Sequence, residues 1–303
     1  MFRLTLKRKW WQKTSQAKSK ITILLSLIAL VLPLEANAAQ IDRQQNNKLA
    51  DSSSKEITVA FDFFGLLRGA ARYVEIANIS NEQEVAIGKQ IQEQLLSQQY
   101  ELYENQQVRE YVDNIGQELL ASSPNTRDIP YTFNVVVSDA VNAFATPGGF
   151  IYVTTGLLKE ADNQAQLASV IAHEIAHIEE KHSIENLKKA AIAQGIAETA
   201  GVSTNTLAQI GYQLAVDLPQ SRQYEYEADR VGLQILQRAG YPPMAFANFL
   251  KQLESGNQPE LLQTHPTSGN RIEAIAREIE SGGSSSNKGL DEANYKNNVS
   301  SLF

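Results

Sequence analysis

Residues 173–177 read His-Glu-Ile-Ala-His. This His-Glu-x-x-His string requires a helix, because residues four apart then share a face and both imidazoles can aim at one point. A zinc ion about 2 Å from each nitrogen fits that point. Glu174 then stands beside the ion, placed to take a proton from its bound water rather than to act as a ligand. The flanks supply the helix. Residues 162–182, DNQAQLASVIAHEIAHIEEKH, contain no Gly or Pro, and Asp162 or Asn163 can serve as N-cap. Residues 167–178 are apolar on nearly every side, which predicts a buried helix. Two histidines and a glutamate inside it are costly unless a metal or partners satisfy them. The bland alternative is a chance string on a core helix. Against it, the chain has four histidines, His173, His177, His182 and His265, and two of them flank Glu174 at this spacing.

The chain has no cysteine. That excludes disulfides, thiolate zinc sites, cysteine nucleophiles and lipid attachment at an N-terminal Cys, so metal ligands must be His, Glu or Asp. The N-terminus speaks to compartment. Seven Lys and Arg without an acid in residues 1–20 precede the apolar run ITILLSLIALVLPL and then Ala36-Asn37-Ala38. This is the order of a secretory signal peptide over 1–38, with an uncleaved anchor as the lesser alternative. Without those residues the chain keeps 20 basic against 33 acidic side chains, a net −13. That balance argues against nucleic acid or an anionic membrane surface as partner.

Residues 39–79 read as a polar linker followed by a docking segment around Phe61, Phe63 and Phe64. Helices are expected from Ser80 onward, with Gln83 in a capping box, and over 106–121. Residues 131–137 alternate and are β-branched, which predicts a strand. A second strand follows the Pro147-Gly148-Gly149 turn. Asn142, Ala143, Phe144 and Ala145 precede that turn. They form either a substrate-binding edge, to which an extended peptide could pair, or one arm of an ordinary hairpin.

A catalytic zinc needs a third protein ligand and one open position. Glu225 and Asp229 lie four apart in SRQYEYEADRVG. Glu225 can be that ligand, with Asp229 behind it hydrogen-bonding a ligand imidazole. The alternative is a solvated acidic face, the reading preferred for Glu227. His265 stands at a loop-to-helix junction, as an oxyanion donor, a removable fourth ligand or a surface histidine. His182, five residues past His177, falls off its face and reads as structural. Residues 281–303 begin SGGSSSNKG and read as a flexible C-terminal tail.

At HEIAH followed by SRQYEYEADRVG, the chain resembles the HtpX/BepA-like, prenyl-protease-type (gluzincin) zinc metallopeptidases. NAFATPGGFIYVTTGLL resembles the family's strand segment before the zinc helix, and HPTSGNRI resembles its His-Pro…Arg-Ile segment. Together these cover roughly residues 80–280 in the family's order. The resemblance implies that His173, His177 and Glu225 bind one Zn(2+), that Glu174 is the general base, that Asp229 supports a ligand and that His265 belongs to the site. It also implies an α+β, mainly helical, zincin-type metalloprotease domain over 80–280, whose small β-sheet has its edge strand beside the zinc helix. Members acting on prenylated proteins carry several transmembrane helices. This chain has no such span beyond its leader, so it resembles the soluble exported branch.

The expected function is an exported, periplasmic or envelope-associated metalloendopeptidase. It would hydrolyse internal peptide bonds of misfolded or unassembled envelope proteins, with polypeptides as substrates, no nucleic acid, and room for peripheral or envelope-complex association. Candidate oxyanion donors are His265, Arg222 and Tyr226. The alternative is an exported chaperone-like or assembly factor with a structural or self-inhibited zinc site.

Overall fold

The structure is a computed structural model that describes residues 73–74, 78–194, 202–217, 221–255, 259–266, 269–282 and 286–303. The expected signal peptide and nearly all of the 39–79 segment lie outside the described residues.

A two-residue strand β1 (Tyr73–Val74) pairs antiparallel with β5 (Val202–Ser203). Helix α1 (Asn81–Gln98) starts where its capping box predicts: the Ser80 hydroxyl accepts from Gln83 N, and the Gln83 side chain accepts from Ser80 N. Helix α2 (Gln106–Ser122) is capped by Asn105 and buries Val108, Val112, Ile115 and Leu119 at helical spacing.

The sheet has three strands, β2 (Thr132–Val136), β3 (Ala143–Thr146) and β4 (Phe150–Thr154), in the order β2-β4-β3. β2 runs parallel to β4, and β3 and β4 form a hairpin through Pro147-Gly148-Gly149. Both glycines have positive φ, 83° and 91°. A Cβ on Gly148 would also strike Glu84 O and Val85 Cα of α1, so the turn needs glycine twice over. β4 is central and buried at all five positions. β3 is an edge strand and packs against the helix carrying the two histidines.

Thr154 caps the short α3 (Thr155–Glu160), and Asn163 caps α4 (Gln164–Glu179), the His-Glu-x-x-His helix, which is buried continuously from Ala165 to Ile178. Lys181, at φ 58°, reverses the chain into α5 (His182–Ala193). Ser183 does not cap α5. Instead its hydroxyl donates to Ala145 O on the β3 edge. There follow α6 (Thr204–Asp217), α7 (Arg222–Arg238), α8 (Met244–Glu254), α9 (Glu260–Thr264), α10 (Gly269–Gly282) and α11 (Glu292–Asn298).

Two apolar clusters flank the sheet. One joins α2, α4, α7, α8 and α10 to the face bearing Phe133, Ile151 and Val153. The other joins α1, α5 and α6 to Phe144, Phe150 and Tyr152. The fold is therefore mainly helical with a small mixed sheet, as expected. α7 crosses α4 at Gly232, where an added Cβ would meet the His173 backbone at 3.2 Å. No helix among the described residues is long and apolar enough to cross a membrane.

The expected flexible tail is corrected for residues 286–303. Tyr295 is buried and its hydroxyl donates to Leu158 O at 2.7 Å. Gly289 O accepts from Ala165 N at the start of α4, and Tyr103 Oη donates to Ser301 O. Lys288 pairs with Glu118 and lies over the Tyr241 ring. The Ser/Gly/Asn-rich composition hid two side chains, Tyr295 and Val299, that complete the apolar cluster around α4. Tyr295→Ala should lower stability by about 3 kcal/mol, read from urea unfolding. A loss under about 1 kcal/mol would mean that this segment adds little to the core.

Candidate metal centre

Four elements bring one cluster together. α4 contributes His173 and His177 one turn apart, with Glu174 between them. α7 contributes Glu225 and Asp229, again one turn apart, held close by the contact at Gly232. The junction after α9 contributes His265, and α10 contributes Arg271. All seven residues are at most 5% exposed.

Ligands of a tetrahedral zinc at about 2.1 Å stand about 3.4 Å from one another. His173 Nε2 lies 3.0 Å from His177 Nε2 and 3.4 Å from Glu225 Oε2. His177 Nε2 is 3.4 Å from Glu225 Oε1. His265 Nδ1 is 3.3 Å from His173 Nε2 and 3.1 Å from Glu225 Oε1. These separations are tetrahedron edges, and three imidazoles with one carboxylate form a donor set suited to zinc. His265 lies with the expected set of His173, His177 and Glu225, one potential ligand atom from each falling within 4.8 Å of the others. Glu174 sits alongside. Its Oε1 is buried without a hydrogen-bond donor, His265 Nε2 being 3.5 Å away.

Behind these groups, Asp229 Oδ1 is 3.1 Å from His173 Nδ1. The Arg271 guanidinium grips Asp229 with Nε and Nη2 at 2.6 and 2.7 Å, reaches Glu225 Oε2 with Nη1 at 2.6 Å, and donates to His265 O. Burial opposes charge on His173, Glu174, His177, Glu225 and Asp229, and prevails only where the partners of each are too weak to offset it. For His173, burial is outweighed by Asp229 and Glu225, which hold its pKa up at about 9. For His177 burial wins and pushes it down to about 3. Burial raises Glu174. For Glu225, the burial penalty is overcome by the His265 and Arg271 charges, which hold it well below the ordinary range. Arg271 likewise keeps Asp229 ionised despite burial.

Other expected residues fall differently. Asn142, Ala143 and Phe144 are buried, and Ala145 is only partly exposed. Asn142 Nδ2 donates to Glu260 Oε1, and Leu261 N to Val141 O, so α9 lies over the start of the β3 edge. Arg222 and Tyr226 are exposed on α7 while Glu225 and Asp229 are buried, so neither joins the cluster. His182, read as merely structural, touches His177: their Nδ1 atoms are 2.9 Å apart. Arg271 was given no role by sequence reading, although it stands in the HPTSGNRI segment.

The sequence profile of peptidase family M48 matches residues 106–279. The chain belongs to peptidase family M48. A beta-barrel assembly-enhancing protease of Yersinia pestis is 33% identical over 218 residues, 65% of this chain and 44% of its own length. The protein of the same name in Escherichia coli K12 is 32% identical over 184 residues, 54% of this chain and 37% of its own. The mitochondrial metalloendopeptidase OMA1 of Saccharomyces cerevisiae is 36% identical over 147 residues, 45% and 43% of the two chains. This M48 chain thus spans less than half the length of these curated relatives. In the M48 centre described above, Arg271 is the counter-charge for two buried carboxylates. Arg271→Ala should cost about 3–5 kcal/mol in metal-free protein, because it strands both. Unfolding in urea at the wild-type midpoint would contradict that.

Proposed function

We propose that this chain is an exported zinc metalloendopeptidase in which His173, His177 and Glu225 hold one Zn(2+) and Glu174 is the general base. The observation that carries this reading is the set of 3.0–3.4 Å separations among buried donors, with Glu174 Oε1 accepting no hydrogen bond next to them. Zinc supplies Lewis acidity, polarising a carbonyl oxygen and lowering the pKa of a water. Glu174 takes the proton of the attacking water and passes it to the leaving amine. Burial, which raises its pKa, suits it to both steps. Asp229, held by Arg271, orients His173 as a ligand.

Export is supported by the basic stretch, apolar run and Ala-x-Ala order of residues 1–38. The Yersinia and Escherichia relatives are proteases named for enhancing beta-barrel assembly, and by that likeness we propose misfolded or unassembled envelope proteins as substrates. The β3 edge at Asn142–Ala145 is the proposed place for an extended substrate strand.

A second reading, a self-inhibited site, is favoured by His265. Its Nδ1 lies 3.3 Å from His173 Nε2 and 3.1 Å from Glu225 Oε1, where it would fill the position that a catalytic zinc keeps open. Its Nε2 faces Glu174, and the preceding α9 covers the start of β3. In this arrangement one side chain occupies the open position and engages the base.

Two variants test the pair of readings, with zinc content and casein cleavage measured on each. Glu174→Gln should keep zinc and lose at least about a hundredfold in rate. Cleavage at the wild-type rate would remove Glu174 from its role. His265→Ala should keep zinc and cleave faster than wild type, whereas a slower enzyme would return His265 to the role of oxyanion donor.

A further inference from the structure

A metal-binding imidazole uses one nitrogen for the metal, and the other must then carry the proton and find an acceptor. For His173 the nearest acceptor is Asp229 Oδ1, 3.1 Å away. His177 has a different one. With its Nε2 turned to the centre, its Nδ1 faces His182 Nδ1 at 2.9 Å. Two protonated nitrogens cannot face each other at that distance. His177 must hold its proton on Nδ1, so His182 Nδ1 must present a lone pair and His182 must carry its own proton on Nε2. There it meets Glu227 Oε2 at 3.1 Å. The direction of the chain is therefore fixed by geometry: His177 donates to His182, and His182 donates to Glu227.

The backbone explains how His182 reaches His177. On an unbroken helix a residue five positions on would lie off the face of His177. The left-handed conformation of Lys181 interrupts the helix at that point, and the chain turns so that the first residue of α5 comes back onto the last turn of α4. The His182 ring is then fixed in plane. It stacks on Tyr224 with centroids 4.2 Å apart and planes 14° apart. The Tyr224 hydroxyl in turn accepts from Lys189 Nζ at 2.6 Å. Tyr224 directly precedes Glu225 and Glu227 follows two residues later, so one turn of α7 supplies a ligand on one side and braces His182 on the other. His182 is 1% exposed, whereas the Glu227 side chain is 38% exposed.

We propose that His182 is the positioning residue for His177: its unprotonated Nδ1 fixes the tautomer and ring plane of that ligand, and Glu227 holds His182 in the matching tautomer. The two ligand histidines are thereby supported unequally. His173 leans on a buried carboxylate locked by Arg271. His177 leans on a neutral ring whose own anchor reaches the surface. This inference rests on the metal reading given above and adds to it the second half of the ligand support.

Substitutions that separate hydrogen bonding from packing test it. In His182→Asn the amide oxygen can stand where Nδ1 stands and still accept from His177. In His182→Gln the amide overlies Nε2 and meets only Glu227. His182→Phe keeps the ring on Tyr224 and accepts nothing. The full chain in each form is stripped of metal, its thermal unfolding is recorded, and Zn(2+) affinity is measured by competition with a chromophoric chelator. His182→Asn should bind zinc within about threefold of wild type, while His182→Gln and His182→Phe should bind about 10–100-fold more weakly. Zinc affinity of His182→Phe equal to that of wild type would overturn the proposal, and so would a loss in His182→Asn as large as in His182→Gln. If His182→Phe does not fold, the Asn and Gln pair decides. Wild-type protein that takes up no zinc would instead overturn the metal reading, and this proposal with it.

Discussion

Buried charge is the constraint on which the rest of this structure depends. Glu225, Asp229 and Arg271 are almost wholly withdrawn from water, together with three histidines and Glu174. Each alone would be prohibitive in a protein interior. They coexist because the guanidinium of Arg271 pairs with both carboxylates of α7 and because the carboxylates face imidazoles. The apolar run of α4 follows from the same need. A helix that places polar side chains in the core must surround them with residues that exclude water, and Ala165 to Ile178 are all buried. The approach at Gly232 then brings α7 close enough for Glu225 to reach both imidazoles.

Much of this was legible in the residues. Hydrophobic spacing located α1, α2 and α4, and the caps of α1 and α4 were readable because Ser80 and Asn163 act within their own turn. The two histidines and the glutamate were readable because helical spacing alone sets their relation. Glu225 and Asp229 could be placed on one face by the same rule, but which face met the histidines depended on a crossing of two helices.

The residues that escaped have a common cause. Arg271 lies 98 positions from His173, and no local pattern marks an arginine that will be buried against acids on another helix. His182 was misjudged because helical periodicity was extended through Lys181, a residue whose positive φ has no sequence signature as plain as glycine's. The C-terminal segment was misjudged from average composition, although one tyrosine and one valine suffice to seat it. In each case tertiary contact overrode a local rule.

The long span between contributors has a bearing on biosynthesis. α4 carries both imidazoles and Glu174, yet His265 stands 92 positions beyond His173. Closing so long a loop precedes any gain from the contact. A partly made chain therefore holds an incomplete centre, with neither the carboxylate of Glu225 nor the guanidinium of Arg271 beside the paired rings. The centre is in this way assembled only once the polypeptide has closed on itself.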